Sequence, residues 1–118
     1  MIRAALVALL GLLAACRGAA GDAPPACGAV AANFIEIARY ELAHATSDAA
    51  TVRAVSAQLP AMRDALAQAC TDGKWSPATR KCLVHANDHP GFEACEQQLS
   101  DEQRRYLDRS TRGTLETP

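Results

Sequence analysis

The stretch CGAVAANFIEIARYELAHATSDAATVRAVSAQLPAMRDALAQACTDG, residues 27–73, decides the fold. From Cys27 to Ala45 no proline intervenes, and Val30, Phe34 and Ile37 recur with Ala31, Ile35, Ala38 and Leu42 at spacings of three and four. That period places one broad apolar stripe on an amphipathic helix. Asn33, Glu36, Arg39 and Glu41 mark its wetter side. Thr46-Ser47-Asp48 then offers capping side chains for a second helix, in which Val52, Val55, Leu59, Met62, Leu66 and Cys70 keep the same spacing. Pro60 inside this pattern removes a backbone donor and crowds the preceding turn, so a kink or a division is expected there. Asp72-Gly73 supplies the stop, with Gly73 suited to a left-handed position.

Toward the carboxyl end, Ser76-Pro77 is a cap followed by proline at the first helical position, which opens a third helix through about Asn87. His89-Pro90-Gly91 breaks it, and a short fourth helix is expected from Pro90 to Gln98. Ser100-Asp101-Glu102-Gln103 has capping-box spacing and opens a last helix through about Arg109. Thr111 to Pro118 carries too few apolar residues to pack and is expected to fray. No run of alternating β-branched residues is long enough for a strand. The reading is all-α, a small bundle of two antiparallel helical hairpins plus a C-terminal helix.

Four cysteines fall in this region, Cys27, Cys70, Cys82 and Cys95. In an oxidising compartment they form two disulfides, with three possible pairings. A first hairpin turning near Ser47-Asp48 places Cys27 and Cys70 equally far from its turn, and a second turning near Asp88-His89 does the same for Cys82 and Cys95. The symmetry favours Cys27–Cys70 with Cys82–Cys95. The crossed pairing, Cys27–Cys82 with Cys70–Cys95, would staple the two hairpins together and stays open. Disulfides matter here because the apolar fraction of 49% includes 26 alanines, while aromatics are only 4%, leaving few large core residues.

A fifth cysteine, Cys16, has a separate role. Met1-Ile2-Arg3 carries a positive charge, and Ala4 to Ala15 follow without a charge. This layout is that of a signal peptide, and the run is too short for the ~20 apolar residues of a membrane span. It ends in Leu13-Ala14-Ala15-Cys16, which resembles a bacterial lipobox. The resemblance, confined to residues 1–16, implies cleavage before Cys16 and acylation of its thiol, with membrane attachment through the acyl chains. The expected division is a lipoprotein signal peptide (1–15), a flexible tether (16–26), a helical domain (27–110) and a frayed tail (111–118). Arg17 to Ala26, ending with Pro24-Pro25 before Ala26, has no apolar period and reads as the tether. Arg17 stands where some Gram-negative bacteria read an Asp as an inner-membrane retention signal, so the outer membrane is favoured over the inner.

Twelve Lys and Arg against 13 Asp and Glu exclude the basic bias of a general nucleic-acid binder. Loss of Arg3 with the leader takes the basic count to 11, a mature net charge near −2. No phosphate-binding glycine loop, nucleophile elbow or catalytic cysteine motif occurs, so no enzyme, catalytic residue or cofactor is expected. His85 and His89 are four apart, but the helix break beside them and the lack of an accompanying Glu argue against a metal site. His44 near the end of the first helix fits the carbonyl end of its dipole. The wide spacing of the four cysteines argues against zinc.

Trp75 precedes the third helix, where it either anchors the two hairpins or offers a ring to a ligand or partner. Arg104, Arg105, Arg109 and Arg112 make a local basic surface beside Tyr106, and steps of four and three put residues 105, 109 and 112 on one face. That face is either simply solvated or docks an acidic partner. Leu99-Ser100-Asp101-Glu102-Gln103 loosely resembles the Leu-Thr-x-x-Gln element of periplasmic helical stress chaperones, with Ser in place of Thr and no second copy. The cysteine spacing over short helices is more similar to small disulfide-paired helical envelope lipoproteins, a resemblance that implies no activity. The leading expectation is a lipid-anchored, non-enzymatic envelope protein acting through protein contacts, with Arg105, Arg109, Arg112 and Trp75 as contact residues. A stress chaperone or metal-stress sensor and a small-ligand binder are the alternatives.

Overall fold

The computed structural model describes residues 23–116; the leader, Cys16 and most of the tether lie outside them. Five helices follow in chain order: α1 (Cys27–His44), α2 (Ala49–Asp72), α3 (Pro77–His85), α4 (His89–Glu96) and α5 (Asp101–Glu116). No strand occurs among the described residues. α1 and α2 form an antiparallel hairpin, α3 and α4 form a second that packs on α1, and α5 lies along α2. Two disulfides join Cys27 to Cys70 and Cys82 to Cys95, each with its α-carbons 5.7 Å apart. Each thus staples its own hairpin, as the symmetry about the turns favours.

The caps explain where the helices start. Asp48 accepts from the Thr51 backbone N–H at 2.9 Å, Ser76 from that of Thr79 at 3.1 Å, and Asp88 from that of Gly91 at 2.8 Å. The helix boundaries shift by a few residues from the expected ones, with α3 ending at His85 and α4 at Glu96. α2 runs through Pro60 as one element rather than two. Pro60 is exposed, so its ring meets solvent on that side of the helix.

The end of α2 departs from the sequence expectation. Gly73 has an ordinary right-handed conformation, and Lys74 takes the left-handed one, with φ 50°. Lys74 N–H reaches the Thr71 carbonyl and Trp75 N–H the Cys70 carbonyl, the paired bonds of a Schellman stop. Glycine is needed at residue 73 for space instead: a β-carbon there would stand 2.8 Å from the Ala69 carbonyl oxygen and 2.9 Å from the Trp75 indole nitrogen.

The core gathers Val30 and Ile37 of α1, Leu66 and Cys70 of α2, Leu83, Phe92 and Leu107, with Trp75 among them. Cysteine sulfur supplies part of the bulk that an alanine-rich chain lacks, since Cys70 and Cys95 are both buried. The α2 stripe is buried at Leu59, Leu66 and Cys70 but exposed at Val55, near the hairpin turn. At the far end, α5 continues to Glu116, beyond the Arg109 stop and through most of the segment expected to fray. The Ser110 and Thr111 hydroxyls donate back to the carbonyls of Tyr106 and Leu107, which occupies their polar groups within the helix.

Candidate functional site

The arginine face of α5 is set by what the rest of the helix must do. Ser100 and Gln103 form the capping box reciprocally: Ser100 Oγ accepts from the Gln103 N–H at 3.1 Å, and Gln103 Oε1 accepts from the Ser100 N–H at 2.8 Å. Gln103 Nε2 also donates to the Gly73 carbonyl at 2.8 Å, fastening the start of α5 to the end of α2. One turn later the Tyr106 hydroxyl donates to Asp72 Oδ2 at 2.9 Å, and Leu107 is buried. Two turns of α5 are thereby held against α2, which fixes the direction its remaining side chains face.

The four arginines then divide. Arg104 is half-buried and bound to its own helix start, to Asp101 and, at 3.1 Å, to Gln97 Oε1. Arg105, Arg109 and Arg112 are exposed, and none has an ion-pair partner among the described residues. Arg109 lies over the Tyr106 ring, 5.9 Å from its centroid, which steadies the guanidinium without neutralising it. Beside it a cleft of about 320 Å³ has Asp72, Glu102, Gln103, Tyr106 and Arg109 among its lining residues.

The hydrogen bond between Tyr106 and Asp72 favours the ionised carboxylate and the protonated phenol. The Gln68 amide, then the Tyr106 hydroxyl, donate to the Asp72 carboxylate and lower its pKa below the usual carboxylate value. The same hydrogen bond to a carboxylate raises the Tyr106 phenol. The pair is an anchor, with Tyr106 engaged at its hydroxyl and at its ring.

Arg105, Arg109 and Arg112 are thus exposed along one helix at spacings of four and three, whereas Trp75 is buried. Trp75 is 3% exposed and offers next to no surface to a partner. Its indole nitrogen is buried with no acceptor, against the Gly73 backbone. His85 and His89 lie on different helices, the one ending α3 and the other opening α4, where His89 pairs with Glu93 at 3.0 Å. His44 ends α1, with Nδ1 2.7 Å from the Tyr40 carbonyl oxygen and its ring against that of Tyr40. No three His, Cys, Asp or Glu side chains form a metal-binding group among the described residues, and no helix there is long and apolar enough to cross a membrane.

Three residues with structural work were not legible as such. Asn33, assigned to the wetter side of α1, is half-buried and donates to the carbonyls of Leu83 and Ala86 at the end of α3. Glu41 accepts from the His89 N–H at 3.3 Å, a second link from α1 to the α3–α4 hairpin. Arg80 donates to the Pro25 carbonyl at 2.8 Å, so the last part of the expected tether is fastened to α3. Helical period identifies a face but not which polar residue on it meets a neighbouring helix end. No family model, curated protein or solved structure matches the chain.

Proposed function

We propose that the protein is a non-enzymatic lipoprotein of a bacterial envelope, acylated at Cys16, that works through contact with an acidic protein partner. The observation that carries the docking surface is the exposure of Arg105, Arg109 and Arg112 on one face of α5 without ion-pair partners among the described residues. Three cations held near one another by a docked helix add up their attraction for a carboxylate-rich surface, and such contacts steer association and weaken with salt. The lipobox-like Leu13-Ala14-Ala15-Cys16 supports the anchor, and two disulfides support an oxidising compartment such as the periplasm. The outer membrane is the favoured destination because Arg17 replaces the retention signal.

The test is recovery of bound protein from envelope extracts by the wild type and by the Arg105→Glu, Arg109→Glu double variant. One stoichiometric partner, retained at low salt, released at high salt and lost with the double variant, is the expected result, with the helical circular dichroism unchanged. Equal recovery by the variant would make α5 a solvated face. Many unfolded clients in place of one partner would favour the chaperone reading.

A further inference from the structure

A second cleft, on another face of α5, has the make-up of a small-molecule site. It lies where α1, α2, α4 and α5 meet and measures about 210 Å³. Its floor is apolar: Phe34 and Phe92, with ring centroids 5.6 Å apart, and Met62, Leu66 and Leu107. Its rim carries Glu96 and Asp108, with His89, and no Lys or Arg lines it. His89 is already engaged by Glu93. Glu96 has no hydrogen bond or ion pair among the described residues, although it is mostly withdrawn from water.

We propose that this cleft binds a small amphiphilic cation, with an aromatic or branched apolar group against Phe34, Phe92 and Leu107 and an ammonium at Glu96 and Asp108. The volume lies below the roughly 300–1,000 Å³ of drug-sized sites, which selects one ring or branched chain on a short spacer. The ring faces of Phe34 and Phe92 attract a cation as well as an apolar body. Burial, followed by the like charge of Glu93 and, less, that of Asp108, raises the Glu96 pKa against an opposing pull from His89, so an incoming ammonium meets a carboxylate that gains from a further partner. A carboxylate ligand with the same apolar group is repelled by Glu96 and Asp108. This site is independent of the arginine face.

The experiment is an amide NMR titration of the full chain, with both disulfides formed, at pH 7. Three probes that share a phenylethyl group are compared: 2-phenylethylammonium, 2-phenylethanol and 3-phenylpropionate. Saturable shifts at Phe92 and Leu107 are expected, with the cation binding on the order of tenfold tighter than the alcohol and the anion not binding. Glu96→Gln and Asp108→Asn should each bring the cation toward the alcohol while leaving the alcohol unchanged. Equal affinity for all three probes, no binding of the cation, shifts centred elsewhere, or cation affinity unaltered in both variants would overturn the proposal.

Discussion

The side-chain amide of Asn33 stands 2.7 Å from the backbone carbonyl oxygen of Leu83. The same nitrogen donates to the Ala86 carbonyl at 3.0 Å, so one α1 side chain serves two carbonyls at the end of α3, of which that of Leu83 also accepts from the Ala86 N–H. This contact and that of Glu41 with His89 link α1 to the second hairpin, beside the packing of Phe34 on Phe92. Asn33→Ala should lower stability by about 1–3 kcal/mol, the usual cost of stranding partly buried polar groups. Urea unfolding measures it, and a change below about 0.5 kcal/mol would show that water replaces the amide without loss. Asn33→Asp should be worse at pH 7 than at pH 3, because a carboxylate facing two carbonyls repels them and a protonated acid still donates once.

Adjacent residues at the end of α2 should respond in opposite directions. Gly73→Ala puts a methyl group against Ala69 and Trp75, and overpacking of that kind costs about 1–3 kcal/mol. Lys74→Gly relieves a left-handed backbone at a non-glycine residue and should stabilise the protein by up to about 1 kcal/mol. Thermal unfolding with tryptophan fluorescence reads both. A stabilising Gly73→Ala would mean that Trp75 moves aside at little cost.

The contrast between Gly73 and Lys74 also indicates how far the sequence could be read. Helical class, hairpin order and cysteine pairing follow from period and symmetry, because each depends on many residues pointing the same way. The capping box at Ser100 and Gln103 was legible for the opposite reason: it is wholly local. The second bond of Gln103, to Gly73, was not, since it depends on α5 lying along α2. Trp75 follows the same rule, for its burial was readable as an anchoring role but its lack of an acceptor was not. Among the arginines, period groups residues 105, 109 and 112, while only the tertiary arrangement shows that Arg104 is spent on Asp101 and Gln97.

Removing the disulfides one at a time should rank them by loop length. Cys27–Cys70 spans a sequence separation of 43 and Cys82–Cys95 one of 13. On the chain-entropy estimate the two restrain the unfolded state by about 4 and about 3 kcal/mol. Paired Cys→Ala variants compared by urea unfolding should therefore lose more stability at the first bridge. Because Cys70 and Cys95 are also core side chains, Cys→Ala adds a packing loss in both cases. A larger loss at Cys82–Cys95 would show that packing and not chain entropy dominates.

Glu96 gives the fold a pH dependence of predictable sign. Burial, then Glu93, outweighs the opposing pull of His89 and raises its folded pKa above the ordinary 4.5, so its folded state binds a proton more readily than its unfolded state. Its contribution is then most favourable below the unfolded value and is lost as pH rises through the folded one. Glu96→Gln should raise the melting temperature at pH 7 and leave it nearly unchanged near pH 4. Melting curves at the two pH values check this; a variant less stable at pH 7 would mean that the carboxylate has a partner that compensates its burial.

The most direct test of an exported, lipid-anchored and disulfide-stapled protein is the intact mass of the chain recovered from its host's membranes without reduction. The expected polypeptide begins at Cys16, heavier than its sequence by the acyl groups and lighter by the four hydrogens of two disulfides. An intact Met1 with a free Cys16 thiol would contradict the anchor, and four free thiols at Cys27, Cys70, Cys82 and Cys95 would contradict the compartment.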